Sequence, residues 1–287
     1  MNYPSLYKVA DAASLSAQRT FLRLTFFHAF LLIIGTCLTI NVMPEKKYSI
    51  IMAIVFLSAL GISIFLGVKK FEKTWYNGRA VAESIKTSTW RYVMRSTPFM
   101  DAQSVQIPKS EFRNMLHEII RTNRELGGAI GEHQDVGDQI TEDMDDTRAL
   151  NMQERVDFYL RNRIDEQRRW YTTKAAHNKK MQKYWFAALL IAQFSAVCCV
   201  LVRIAYPEWK YWPTDVFVVL AAFIISWMQI KKFNELSSAY SLTAQEIGII
   251  RGLTESVETE EQLSEFVNNA ERAFSREHTQ WVARQYT

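Results

Sequence analysis

Apolar and polar positions are sharply segregated along this chain. Four apolar runs, at residues 24–42, 48–68, 185–202 and 216–230, contain no acidic residue and no lysine. About 20 such residues in a helix cross a hydrocarbon core of roughly 30 Å. The first three runs reach that length, and the fourth does so if Pro213 to Asp215 sit at headgroup level. Arg203 closes the third run, where its long side chain can reach the interface. The spans are therefore placed at about 24–42, 48–68, 185–206 and 213–230. Four buried helices of a water-soluble protein are the alternative, but clean runs of this length are rare in soluble cores. A cleaved leader fits poorly, because the first run begins only at residue 24 and a second span follows at once.

The spans pair into two tight hairpins. Residues 43–47 join the first pair, with Pro44 ending the helix, and 205–215 join the second. Trp209, Tyr211 and Trp212 in the second connection form an aromatic interface belt. An even number of spans puts both termini and the middle segment on one side. That side carries Arg19, Arg23, Lys69, Lys70, Lys73, Lys179, Lys180, Lys183, Lys231 and Lys232, against Lys46, Lys47, Arg203 and Lys210 on the other. The excess of cations makes it the cytoplasmic side, with both termini there. Cys37, Cys198 and Cys199 all lie within spans, so nothing asks for an oxidising compartment.

The exit from each hairpin is written almost identically. KKFEKTWYNGRAVAE starts at residue 69 and KKFNELSSAYSLTAQ at 231, an offset of 162 positions. Phe71, Trp75, Gly78, Ala82 and Ile85 advance by 4, 3, 4 and 3, and Phe233, Ser237, Tyr240, Ala244 and Ile247 advance identically. That stepping is one face of a helix leaving the membrane. Slipped by one, the offset also sets Tyr7, Ala12 and Ala13 against Trp170, Ala175 and Ala176 before each hairpin. The expected fold is an all-α membrane protein: two duplicated two-helix transmembrane hairpins with long cytoplasmic amphipathic helices. One module covers 1–126, an acidic, glycine-containing linker covers 127–146, and a second module covers 147–287. Further helices are expected from Ser110, which carries a capping signature, to Arg124, from about Thr147 to Lys183, and from Thr259 to about Arg284.

Composition adds little. The net charge of +4 is too mild to argue for nucleic acid or anionic lipid by itself, and Gly (10) and Pro (6) are scarce, which favours helix. Enzymatic signatures are missing: there is no phosphate-cradling loop, no H-E-x-x-H and no nucleophile elbow. His133 with Asp135 and Asp138 matches no metal cage and reads as a solvated linker, and Glu277-His278 near Trp281 reads as a packed helix end. No catalysis, metal or cofactor is expected.

Three further stretches carry a resemblance: WYNGRAVAESIKTSTWRYVMRSTPF (75–99), RRWYTTKAAHNKK (168–180) and TEEQLSEFVNNAERAFSREHTQWVAR (259–284). They resemble the SLATT family, two-span effector domains found beside SMODS nucleotidyltransferases and SLOG domains in prokaryotic conflict systems. The likeness covers most of the chain outside the acidic linker. It implies an antiviral effector of the bacterial inner membrane. A partner nucleotidyltransferase encoded nearby makes a nucleotide or oligonucleotide signal when phage infects, and the effector permeabilises the membrane. The halves differ after the hairpin, since Arg79, Lys86 and Trp90 correspond to Ser241, Gly248 and Gly252.

A nucleotide ligand calls for clustered cations and aromatic faces. Arg79, Lys86 and Trp90 share one helical face, with Arg91 and Arg95 a turn on, and Arg113, His117, Arg121 and Arg124 stripe another helix. A solvated surface is the bland reading of each residue taken singly. Within the spans, His28, Gln193, Ser195 and Gln229 are the candidate pore-lining groups, because polar groups facing lipid are costly. Backbone bonding or helix–helix contacts would explain most of the span hydroxyls. Four helices enclose water poorly, so a homo-oligomer in the bilayer is expected, a tetramer for preference. The rival reading is a non-conducting scaffold or sensor that recruits partners through its cytoplasmic helices; a membrane-bound enzyme is weaker still.

Overall fold

The computed structural model describes residues 1–40, 46–101, 104, 106–131 and 137–283. Regular structure among them is entirely helical. The helices are α1 (Ser5–Ile40), α2 (Lys46–Lys69), α3 (Phe71–Val93), α4 (Gln106–Thr122), α5 (Gly127–Gly131), α6 (Glu142–Ala149), α7 (Met152–Tyr159), α8 (Glu166–Ala205), α9 (Thr214–Lys231), α10 (Phe233–Gly252) and α11 (Glu260–Ala283). Short 3-10 turns lie at Arg124–Leu126 and Leu253–Ser256, and a π-helical turn, Leu160–Asp165, joins α7 to α8. Helices long and apolar enough to cross a membrane begin at Ser5, Lys46, Met152 and Thr214, one for each expected span. At about 1.5 Å per residue, the 36 residues of α1 and 40 of α8 measure roughly 54 and 60 Å. Each therefore holds a span and a polar extension in one helix.

The repeated KKF has a defined conformation. Lys70 and Lys232 both occupy the left-handed region, at φ 46° and 47°. The Lys232 amide donates to the Met228 carbonyl at 2.9 Å and the Lys70 amide to Leu66 at 3.2 Å. A left-handed residue closes the span helix and Phe71 or Phe233 opens the next, so the duplication extends to the backbone. Left-handed lysine is costly, and the chain accepts that cost at matching positions in both halves.

The chain divides into two units. One comprises residues 20–70 and 172–241 and holds the apolar segments. There α1 and α2 approach closely, a Cβ on Gly35 falling 2.8 Å from the Phe56 ring, and His28 Nε2 lies 3.0 Å from Ser63 Oγ. Ala192, Ala221 and Ile224 form the buried seam of α8 and α9, with Trp185, Leu189 and Phe223 packed around it. Phe26 of α1 stands edge-on to Phe223 and Trp227 of α9. Ile54, Leu57, Ile64, Phe194 and Ile204 point outward and are exposed, the surface that hydrocarbon must cover.

The other unit comprises residues 1–19, 71–171 and 242–287. Its centre is α3, packed by α11, α4 and α6. The later steps of the repeated face are buried, Gly78, Ala82 and Ile85 in α3 and Ala244 and Ile247 in α10, while Phe71 and Trp75 are half-buried. Ala10 and Ser14 of α1 lie directly against Gly78, where a Cβ would sit 3.1 Å from Ser14 Cβ. Ser14 Oγ donates to the Trp75 carbonyl at 2.9 Å. At the equivalent crossing of the second half, Ser237, which aligns with Trp75, donates instead to the Ala175 carbonyl at 3.1 Å. The contact is conserved between halves while donor and acceptor have changed helices.

Three expected elements need correction. Helix α4 starts at Gln106 rather than Ser110, because the Ser104 hydroxyl accepts from the Gln106 amide and Pro108 suits a first turn. The helix expected from about 147 to 183 is interrupted at Leu150, where Asn151 and Glu154 form a reciprocal capping box that starts α7; from Met152 it runs on through the π-helical turn and α8 into the third span, as expected. Residues 142–146, read as acidic linker, begin α6: Thr141 caps it and Glu142, Asp143 and Asp145 occupy the positive first turn. Thr259 and Gln262 cap α11 reciprocally, in line with the expected start. His133 and Asp135, and the side chains of Glu277, His278 and Trp281, lie outside what the structure describes.

Candidate functional site

The C-terminal end of α3 is held by arginines. Arg148 donates to the Tyr92 carbonyl and to Asp101, its guanidinium 4.8 Å from the Tyr92 ring centroid. Arg155 donates to the Met94 and Leu150 carbonyls and to Glu260. Arg163 meets Glu271 through two bonds, and Tyr159 donates to the same carboxylate. The carbonyl end of a helix carries partial negative charge, so cations settle there. Burial opposes the charge on Arg163, but Glu271 and Tyr159 outweigh it and raise the guanidinium pKa. Burial, reinforced by Glu271, raises Tyr159 as well.

This framework absorbs most of the α3 cluster. Trp90 is 1% exposed, bonded through Nε1 to the Tyr3 hydroxyl and covered by Phe158 and Tyr159, so its ring offers no face to a base. Arg79 pairs with Asp11 and Glu83, and Arg95 with Asp101 and the Arg148 carbonyl. Arg91 is partly buried with Nε unpartnered. Lys86 lies 5.9 Å over the Tyr3 ring with no ion pair among the described residues; burial, then Arg163, lowers its pKa.

The α4 stripe is different. Arg113, His117, Arg121 and Arg124 are all exposed along one side of α4 and the turn after it, while Phe112 and Leu116 hold the helix against the core. Arg121 pairs with Glu118 at 3.0 Å, both more than half exposed, and the other three have no ion pair among the described residues. Three arginines and a histidine within about three helical turns give a line of positive potential that an extended phosphate chain can follow.

In the spans, hydroxyls and amides separate cleanly. Thr25, Thr36, Thr39, Ser58 and Ser226 donate to carbonyls of their own helices. His28 is taken by Ser63. Gln193 and Gln229 are exposed, and neither they nor Ser195 has a hydrogen bond among the described residues.

Residues 4–156 match the family described as SMODS and SLOG-associating 2TM effector domain 3, and residues 159–281 match effector domain 1 of the same name. The chain belongs to the SLATT family. It carries two SLATT domains in tandem, each a two-span effector domain of the kind that associates with SMODS and SLOG systems. No curated protein and no solved structure matches it.

The two SLATT segments are interlaced in the polar unit. Arg155 from the first bonds Glu260 from the second, and Ser96 donates to the Ser264 carbonyl at 2.6 Å. The sequence reading missed Arg148, Arg155 and Arg163. Their spacing of 7 and 8 was the available signal, since it keeps them on one face of a roughly helical segment, but arginine is by default a surface residue.

Proposed function

We propose that this SLATT protein is the membrane-embedded effector of a prokaryotic anti-phage system: an oligomeric ion channel or membrane-disrupting pore. A nucleotide or oligonucleotide made by a partner nucleotidyltransferase gates it, depolarising the inner membrane and aborting infection. One observation carries the pore: the Gln193 and Gln229 amides are exposed and have no hydrogen bond among the described residues, whereas Thr36, Ser58 and Ser226 bond within their own helices. Gln193 lies well inside the third apolar run, where an amide left alone in hydrocarbon costs several kcal/mol, so a neighbouring copy or a water column must meet it. A ring of copies, a tetramer for preference, supplies both. Gln193, Ser195 and Gln229 line the pathway, and His28 pins the first hairpin to Ser63. The positive flanks keep both termini in the cytoplasm.

For the ligand, the α4 stripe of Arg113, His117, Arg121 and Arg124 is the contact surface. Arg79, Lys86, Trp90, Arg91 and Arg95 form the scaffold that transmits its occupancy. Binding shifts the ring between two packings by differential affinity. The test follows membrane potential in cells expressing the protein with and without the neighbouring nucleotidyltransferase. Depolarisation that requires the partner and is lost in a Gln193→Leu, Gln229→Leu variant supports the reading; unchanged conductance in that variant removes the pore assignment. A second reading, a non-conducting scaffold, is favoured by Leu242, Ile249 and Leu253, an exposed apolar stripe on and just after α10. Purified protein in planar bilayers separates the two, since a scaffold passes no current with ligand present.

A further inference from the structure

Trp227 of α9 is a meeting point at the end of the spans where the chain is richest in lysine. The Phe26 ring stands edge-on to it with centroids 5.9 Å apart, Trp185 of α8 lies at 6.3 Å, and the Lys231 ammonium sits 5.8 Å above its ring. Beside it runs an open groove of about 600 Å³ lined by Leu22, Arg23, Leu24, Phe26, Phe27 and Trp227. The groove surface is almost wholly apolar; Arg23, which borders it, is exposed and has no ion pair among the described residues.

The chemistry of the groove changes along its length. Phe26 and Phe27 lie within the first apolar run, whereas Arg23 immediately precedes that run and Lys231 immediately follows the fourth. Arg23 borders the groove that Trp227 also lines and Lys231 sits over the Trp227 ring, so both cations flank the end of the groove nearest the head groups, with apolar wall continuing into the hydrocarbon. A tryptophan at this depth is an interfacial anchor, and basic pockets between spans hold anionic head groups. An acyl chain can lie along the phenyl rings while a guanidinium and an ammonium share a phosphate. A choline head would bring a third cation to the same place.

We propose that this groove binds one anionic phospholipid per subunit, its phosphate between Arg23 and Lys231 and its acyl chain along Phe26 and Phe27. The proposal is independent of the gating ligand, which concerns α4.

The test uses the full chain, purified in an uncharged detergent and stripped of lipid. Native mass spectrometry reads binding of phosphatidylglycerol, of phosphatidylcholine with the same acyl chains, and of glycerol phosphate. One phosphatidylglycerol per chain is expected, with a preference of about tenfold over phosphatidylcholine, since each interfacial cation adds a modest increment. Arg23→Gln with Lys231→Gln should bring that preference near parity, while Lys210→Gln, in the opposite connection, should leave it intact. Equal binding of the two lipids, or a preference that survives the double substitution, overturns the proposal. Glycerol phosphate binding as tightly as the lipid also overturns it, because the groove would then contribute nothing. A photoreactive phosphatidylglycerol on the unmodified protein gives a readout free of folding effects: crosslinks must fall on α1 near Phe27 and on α9 near Trp227, and crosslinks elsewhere sink the assignment.

Discussion

Arg163 and Glu271, 108 positions apart, face each other through two bonds of 2.8 and 2.6 Å, and neither is more than 1% exposed. The pair ties α11 to the π-helical turn after α7, both within the second SLATT segment. Removing one partner of a buried pair leaves an uncompensated charge, which costs about 3–5 kcal/mol, whereas an apolar replacement of both is often tolerated. Glu271→Ala should therefore lower the thermal midpoint of the detergent-solubilised protein sharply. Adding Arg163→Met should recover most of the loss. A double variant as unstable as the single one would show that the pair is not the coupling.

Alkaline pH should loosen the same unit. Burial, with Asp11 and Glu83 adding to it, pushes the Tyr7 phenol up to about 12, and burial raises Tyr3, Tyr92 and Tyr159 in the same direction. The folded chain holds these protons more tightly than the unfolded chain, whose tyrosines titrate near about 10. Stability from them is therefore complete below the unfolded value and drains away as pH rises from about 10 through 12. The unfolding midpoint should fall across that window, with a shallower fall in Tyr7→Phe. A midpoint flat across it, while phenolate absorbance rises, would contradict the burial of these rings.

Two glycines separate a packed crossing from an open one. At Gly78 a new Cβ meets backbone, the Ala10 carbonyl and the Ser14 amide both at 3.2 Å. Gly78→Val should overpack the α1–α3 crossing and cost roughly 1–3 kcal/mol. At Gly248 the nearest atoms belong to the Arg168 guanidinium, from 3.3 Å, the mobile end of a long side chain. Gly248→Ala should change stability little or raise it, because alanine is the better helix former by about 1 kcal/mol. Paired thermal melts check this, and equal losses at both sites would refute the asymmetry.

The spans and the duplication were legible in the chain because lipid imposes length: about 20 apolar residues between lysines has few meanings. The 4-3-4-3 stepping from Phe71 survived as a face that is half-buried at Phe71 and Trp75 and buried at Gly78, Ala82 and Ile85, for the same geometric reason. KKF was visible as punctuation, but its left-handed lysine was not, since lysine has no bias toward positive φ. Trp90 stepped correctly for a stacking face and equally well for a core face; Tyr3, Phe158 and Tyr159, all distant in sequence, decide between them. The break before α7 was hidden because Asn151 and Glu154 resemble ordinary helix-surface residues until their reciprocal bonds are seen.

The α4 stripe yields the most direct test of ligand recognition. Among the described residues Arg121 is restrained only by an exposed pair with Glu118, and such pairs contribute little, so both Arg121 and Arg124 can be replaced without unfolding α4. Each cation that meets a phosphate releases a counterion, and for single strands the slope of log K against log salt is about −0.7 per contact. Arg121→Glu with Arg124→Glu should therefore weaken oligonucleotide binding and flatten the salt dependence by roughly 1.4 in slope, read by fluorescence anisotropy between low and physiological salt. Trp90→Phe supplies the contrast: its indole is enclosed by Phe158 and Tyr159, so it should lower stability while leaving the salt slope untouched. A double variant that keeps both affinity and slope would strip α4 of its role, and a Trp90→Phe variant that lost affinity at full stability would return the site to α3.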